Sequence, residues 1–271
     1  EHGGVALVGG PRCDLVVHSW KDLPTDADAS VVGCPPRADA RDCVLFDSAR
    51  LHEWMGGGAL TVLSSSPRRE ANLGEALPAL LPHPPATVRF TSVRGNVPTR
   101  IAKLLAGDSG AHALVVAKAA LDRLLDPPTG EFHVVRDELR AALDRCRLVV
   151  APLSLDPSAP AQGALALEAR PDDTEVRALL APLVSEGDTV AVRLERAELT
   201  KHGGGCHQRI GASAQHTRHG TVWVVRGFTD DGTRLAERRL LETPASERLA
   251  PGQAWSTTPL APACGRRTWR G

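Results

Sequence analysis

Four polar side chains able to do chemistry, His18, Ser19, Lys21 and Asp22, follow directly on the apolar run Leu15-Val16-Val17. A continuous apolar run of this kind predicts a strand covered on both faces of a parallel sheet. Pro24 then stops regular structure from continuing. Ligands of open α/β sheets bind at the carboxyl ends of strands. A Lys beside an Asp there offers a charge-stabilised carboxylate that can bind a donor or move a proton. Taken alone, a solvated loop is the plainer reading of such a pair.

Two further junctions carry cations. Ser64-Ser65-Ser66-Pro67-Arg68-Arg69 supplies hydroxyls, helix N-terminal amides and two guanidiniums, and Arg94-Gly95-Asn96-Val97-Pro98-Thr99-Arg100 supplies two more around a second helix start. Helix N-termini favour anions, and arginine binds carboxylate or phosphate bidentately. Arg123 is a fifth candidate cation. Together they predict a polyanionic ligand, with phosphates and multiple carboxylates both open. No phosphate-loop or dinucleotide glycine pattern supports a nucleotide.

A third candidate is Cys206 in Gly203-Gly204-Gly205-Cys206-His207. Three glycines clear room around one thiol, and Lys201 and His207 can favour the thiolate, the reactive form. A helix cap with a neutral Cys is the plainer reading. A zinc site from His202, Cys206 and His207 lacks a fourth ligand at suitable spacing.

The elements that position these groups are expected to be strands at Leu60–Leu63, Thr87–Val93 and Leu114–Val116. Each leads into a helix: one capped by Ser66 with Pro67 in its first turn, one carrying Ile101, Leu104 and Leu105 and stopped by Gly107, and one around Ala119–Leu125. The alternation suggests an α/β fold with mostly parallel sheets. A helix near Asp137–Arg145 and a Pro/Ser-rich loop at Pro152–Pro160 follow. Asp188–His202 reads as a helix capped by Asp188 or Thr189 and ended by Gly203. Val222–Phe228 and Arg234–Leu241 flank the turn signal Asp231-Gly232, which predicts a hairpin in a smaller α+β unit. Residues after about 244 read as a loose tail.

The chain has 271 residues, 42% of them hydrophobic, so it can bury a sizeable core. Lys plus Arg and Asp plus Glu balance at 32 each, so net charge draws it to neither nucleic acid nor membrane. No apolar run approaches the ~20 residues of a membrane span, and no signal peptide is visible. Six dispersed cysteines without a C-x-x-C pair suggest a reducing cytosol and no metal.

In order along the chain, these segments resemble porphobilinogen deaminase (hydroxymethylbilane synthase). Asp14–Pro24 resembles D-[IL]-x-V-H-S-x-K-D-x-P, Ser65–Arg69 resembles S-S-L-R-R, and Arg94–Arg100 resembles R-G-N-[VL]-x-T-R. Ala117–Leu124 resembles A-x-x-G-L-x-R-L, and Pro160–Ala164 with Glu168 resembles A-x-G-Q-G-A-x-x-x-E. Glu195-Arg196-Ala197 through Gly211 resembles E-R-A…G-G-C-x-x-P-[IV]-G.

The resemblance implies an α/β fold of three domains: two lobes like type II periplasmic binding proteins with mixed sheets, and a small α+β C-terminal domain. The corresponding ranges are 1–38 with 163–182, 42–158, and 186–271. It implies a dipyrromethane cofactor held by a thioether to Cys206. Four porphobilinogen molecules lose ammonia in turn and extend this primer, and linear hydroxymethylbilane is released by hydrolysis for tetrapyrrole and haem biosynthesis. Asp22 is then the catalytic residue. Ser19, Lys21, Ser65, Ser66, Arg68, Arg69, Arg94, Arg100, Arg123 and Gln162 bind substrate and cofactor. The implied enzyme is a cytoplasmic monomer with no metal, nucleic-acid or membrane partner.

Departures from the family pattern are Pro67 for Leu, Ala120 and Ala161 for Gly, Arg209 for Pro, and a longer 126–160 segment. Asp14 also lies so close to Glu1 that part of the first domain is expected to be missing, leaving this chain poorly active beside an active parent. A non-catalytic polyanion-binding module and an inactive paralogue or fragment of the same fold are the alternatives; the reactive thiol in a glycine loop favours the enzyme.

Overall fold

A computed structural model describes residues 13–24, 29–126, 132–203, 208–217 and 219–241. In chain order these form β1 (Leu15–Ser19), a 3-10 turn (Trp20–Asp22), β2 (Val31–Gly33), β3 (Asp42–Asp47), α1 (His52–Met55), β4 (Ala59–Leu63), α2 (Pro67–Leu80), β5 (Thr87–Thr91) and α3 (Val97–Ala106). There follow β6 (Ala113–Ala117), α4 (Lys118–Leu125), α5 (His133–Asp144), β7 (Cys146–Val150), β8 (Leu165–Ala169), α6 (Thr174–Leu180), α7 (Glu186–Lys201), β9 (Arg209–Thr217), β10 (Gly220–Phe228) and β11 (Arg234–Leu241).

The strands sort into three sheets. The largest has the order β5-β4-β6-β3-β7. Within it β4 runs parallel to β5 and β6, whereas β3 runs antiparallel to β6 and β7. β3 is buried along its whole length. Its Cys43 and Leu45 pack with Leu114, Val116, Ile101, Leu104 and Leu121 on one face, and Val44 and Phe46 with Val62, Val115, Leu73 and Leu77 on the other. Helices thus cover both faces of this sheet. The second sheet, β1-β8-β2, and the third, β11-β10-β9, are antiparallel throughout. The sheets are therefore mixed and antiparallel, against the mostly parallel arrangement that strand–helix alternation suggests. Alternation fixes parallel pairing only where a crossover helix joins neighbours, as in β4–α2–β5.

β1 differs from expectation in the same way. Among the described residues it pairs with β8 alone, and Leu15 and Val17 are 38% and 51% exposed, so it is no doubly covered strand. The cap of α7 also moves. The helix begins at Glu186 with Ser185 at the cap position, and Asp188 instead accepts from Ser185 Oγ (2.8 Å) and from the Arg37 backbone N–H (3.0 Å). Other signals hold: Ser66 caps α2 with Pro67 in its first turn, and Gly107, in the left-handed region, ends α3. Gly232 (φ 85°) sits in the β10–β11 turn. Cys206, Cys264 and the tail after about 244 lie outside the described residues. Cys13, Cys34, Cys43 and Cys146 are free thiols.

The chain crosses between the first two sheets twice, after β2 and before β8, and the crossings are sewn together. Ala38 N–H donates to Gly163 O (3.1 Å), and a Cβ on Gly163 (φ 82°) would lie 2.7 Å from Ala38 O, so only glycine fits. Two residues earlier, Ala161 has φ 65° without glycine's freedom. It stands where the family pattern has Gly. A left-handed alanine costs on the order of 1–2 kcal/mol, so Ala161→Gly is expected to raise unfolding stability by up to about 1 kcal/mol. A lowered urea midpoint in that variant would refute this account of the strain.

Candidate functional site

Asp22 is positioned by what lies beneath its turn. Trp20 is fully buried, and its N–H donates to Ala164 O (3.0 Å). From α7, Arg196 reaches under the turn and donates to the carbonyls of Trp20 (3.0 Å), Leu23 (3.1 Å) and Pro24 (2.7 Å). A guanidinium has its donors in a rigid fork, so one side chain fixes three carbonyls of this one turn. Lys21 and Asp22 project outward from this platform. Their side chains are 44% and 58% exposed, and Lys21 Nζ donates to Asp22 Oδ1 at 2.8 Å.

Facing them are the starts of two helices. At α2, Ser66 Oγ accepts from the Arg69 N–H. At α3, Asn96 Oδ1 accepts from the Thr99 N–H (2.9 Å), and Arg100 Nε donates to Gly95 O (2.6 Å). These groups line one cleft of about 510 Å³ with Lys21, Asp22, Arg68, Arg69 and Gln162. Leu199, Gln208 and Ile210, which precede and follow the Cys206 segment, line it too. Cys206 itself lies outside the described residues.

The electrostatics favour an anion. Partial burial and the positive charges of Arg69 and Arg94 push the Arg100 pKa below its ordinary value. A guanidinium depressed by other guanidiniums marks a local excess of positive charge, which a bound carboxylate or phosphate would relieve. Gln208 adds a different group. Its Nε2 donates to His202 O, and its buried Oε1 has no hydrogen-bond partner among the described residues. An acceptor left open at the cleft suits a ligand with an N–H.

Not every expected residue reaches the cleft. Ser65 spans the strand ends instead, accepting from the Val93 N–H (2.9 Å) and donating to Val93 O (2.7 Å). Arg94 lines a separate groove with Thr99 and Lys103, and its carbonyl accepts from Lys103 Nζ (2.9 Å). Ser19 is exposed at the end of β1, and Arg123 is exposed on α4 one turn beyond the cleft-lining Ala120. Arg68 does border the cleft, yet it is 4% exposed and its guanidinium is engaged by Asp42 and Asp156.

Asp42 and Asp156 are the groups that sequence reasoning overlooks. Asp42 is buried, yet its carboxyl is held well below the usual carboxylate range, because Arg69 and Arg68 outweigh the cost of burial. Burial pushes Asp156 the other way, to about 7; the pull of Arg68 is opposed by the nearby Asp42 charge. The contrast follows the donors: among the described residues four N–H groups reach Asp42, whereas Asp156 accepts one from Arg68 and its Oδ2 has no partner. The available signal was a carboxylate opening an otherwise apolar strand.

A family model described as porphobilinogen deaminase, dipyromethane cofactor binding domain, matches residues 6–178. Curated relatives carry the name porphobilinogen deaminase. That of Roseiflexus sp. is 37% identical over 220 residues, covering 80% of this chain and 62% of the relative. That of Mycobacterium tuberculosis is 38% identical over 230 residues, covering 84% and 62%. The Ralstonia nicotianae protein is 35% identical over 246 residues, covering 89% and 65%. The chain thus spans less than two thirds of the length of these relatives.

Proposed function

Because the chain belongs to the porphobilinogen deaminase family, we propose that it performs the deaminating condensation of porphobilinogen onto a covalently held dipyrromethane, as a transferase of tetrapyrrole biosynthesis. The observation that carries this reading is the single cleft in which an exposed carboxylate, Asp22, faces a cluster of cations. Porphobilinogen bears acetate and propionate side chains on a pyrrole, so it needs cations for its carboxylates and an acceptor for its N–H. The cleft supplies both.

The chain's residues divide the work by chemistry. Lys21, Ser66, Arg69 and Arg100 bind carboxylates. Asp22 accepts the pyrrole N–H and stabilises the positive charge that develops on the ring as ammonia departs. Gln162 and Gln208 fill in neutral polar contacts. The residues fit a dipyrromethane, since among the described residues Arg100 has no carboxylate partner and Gln208 Oε1 no donor. When bound through Cys206, that group supplies the nucleophilic pyrrole carbon that accepts the incoming unit.

The three-domain division, 1–38 with 163–182, 42–158 and 186–271, is part of the same proposal, with the first two as binding-protein-like lobes. It is supported by the placement of one sheet in each range and by the two crossings between the first pair. The reading also makes the protein a cytoplasmic monomer, with which four free thiols agree. No described helix is long and apolar enough to cross a membrane.

The test is to incubate the chain with porphobilinogen, measure released ammonia, and take the intact mass with peptide mapping. A dipyrrole mass on the Cys206 peptide, absent from Cys206→Ala, is the expected result. Absence of ammonia release and of added mass, both in this chain and in the parent protein that carries it, would refute the proposal.

A further inference from the structure

Adjacent arginines at the start of α2 are used differently. Arg68 Nη1 donates to Asp156 Oδ1 (2.9 Å) and Pro157 O (2.7 Å), and its Nη2 donates to Asp42 Oδ2 (2.5 Å). Both terminal nitrogens are therefore occupied inside the protein. Arg69 gives Asp42 only one edge, Nε to Oδ2 (2.9 Å) and Nη2 to Oδ1 (2.7 Å), and its Nη1 has no partner among the described residues. Gln162 Nε2 completes the set on Oδ1 (2.9 Å). Each oxygen of Asp42 thus accepts two N–H groups, which saturates a carboxylate.

We propose that Asp42 is a positioning residue that clamps Arg69 by its Nε–Nη2 edge and so presents Nη1 to the cleft as a fixed donor for one ligand carboxylate, while Arg68 is an internal strut that touches no ligand. The physical basis is preorganisation. A long side chain immobilised before the ligand arrives loses little further freedom on binding it. Charge and direction are then supplied separately. Arg69 is neutralised in part by Asp42 and fixes geometry, while Arg100, with no acid bonded to it among the described residues, supplies the attraction. Arg68 cannot exchange roles with its neighbour. Turning it toward the cleft would strip the single donor from Asp156, whose other oxygen already lacks one. The strut also has a place to brace: Pro157 O lies against Gly211 of β9, where an added Cβ would sit 2.2 Å from it.

The inference depends on the proposed function only for the identity of the ligand, so it is tested with two probes. Citrate, a simple tricarboxylate, is expected to raise the melting temperature of the wild type. Arg69→Gln should abolish that rise and increase KM for porphobilinogen about tenfold or more; its ligand-free melting temperature should fall by several degrees, because buried Asp42 loses two of its four donors. Arg68→Gln should melt several degrees lower yet keep the citrate response; Arg68→Lys, which retains the charge, serves if the glutamine variant does not fold. Asp42→Asn should raise KM about tenfold with kcat changed less than about threefold, and Asp42→Glu should recover part of the loss. A folded Arg68 variant that loses the citrate response, an Asp42→Asn variant with wild-type KM, or a wild type indifferent to citrate would each overturn the assignment. A wild type that responds to citrate and leaves porphobilinogen unchanged would sink the functional reading while sustaining the arginine roles.

Discussion

Asp22→Asn is expected to keep the fold and to reduce ammonia release from porphobilinogen by about 10²–10⁴-fold or more, the range seen when a positioned acid–base group or a preorganised charge is removed. The amide occupies nearly the same volume, can still accept a hydrogen bond, and has lost the negative charge. A large drop would therefore assign the effect to charge rather than to shape. Stability should move little, because the side chain is 58% exposed and its partner Lys21 is 44% exposed; surface substitutions of this kind are usually within about 0.5 kcal/mol. The platform beneath it, Trp20 and the three carbonyls held by Arg196, does not contact the changed atoms. Turnover within about tenfold of wild type would remove Asp22 from the chemistry.

Glu195→Ala should be the most damaging substitution for the fold, with a loss of about 3–5 kcal/mol. Glu195 is wholly buried and accepts four N–H groups: Arg37 Nη1 (2.7 Å) and Nη2 (2.9 Å), and the amides of Ala161 (2.8 Å) and Ala214 (2.8 Å). Those donors come from the crossing after β2, the crossing before β8, and β9. Removing the carboxylate leaves a buried cation and two buried amides without acceptors at the junction of all three sheets. Urea unfolding of the variant against wild type at neutral pH measures the effect. A difference under about 1 kcal/mol would mean that water enters to replace the lost acceptor, and that the junction is looser than its hydrogen bonds indicate.

The parts of the fold legible in the sequence are those set by local chemistry. Ser66-Pro67 announces the start of α2, Gly107 the end of α3, and Asp231-Gly232 the β10–β11 turn, because caps and turns are decided within a few residues. Strand neighbours are decided far away. Nothing around Asp42–Asp47 says that this strand inserts antiparallel between β6 and β7, and nothing in Leu15–Ser19 says that its partner is Leu165–Ala169. The site divides in the same manner. Lys21, Asp22, Arg69 and Arg100 were visible as charged residues at element ends. Asp42 and Asp156, the acids that decide what the arginines can do, sit among apolar neighbours and are brought to α2 only by the folded sheets.

The sheet order also bears on how the protein is made. Every strand of the five-stranded sheet lies within residues 42–150, so that sheet has all its partners once Val150 has left the ribosome. β1 and β2, although synthesised before that sheet, pair in the described sheet only with β8. They must wait through the synthesis of the whole intervening unit, and Glu195, which ties the crossings together, arrives later still. Long-range pairing of this kind slows folding and leaves strand edges exposed meanwhile. During synthesis, the segment carrying Asp22 therefore emerges before the five-stranded sheet and finds its place after it.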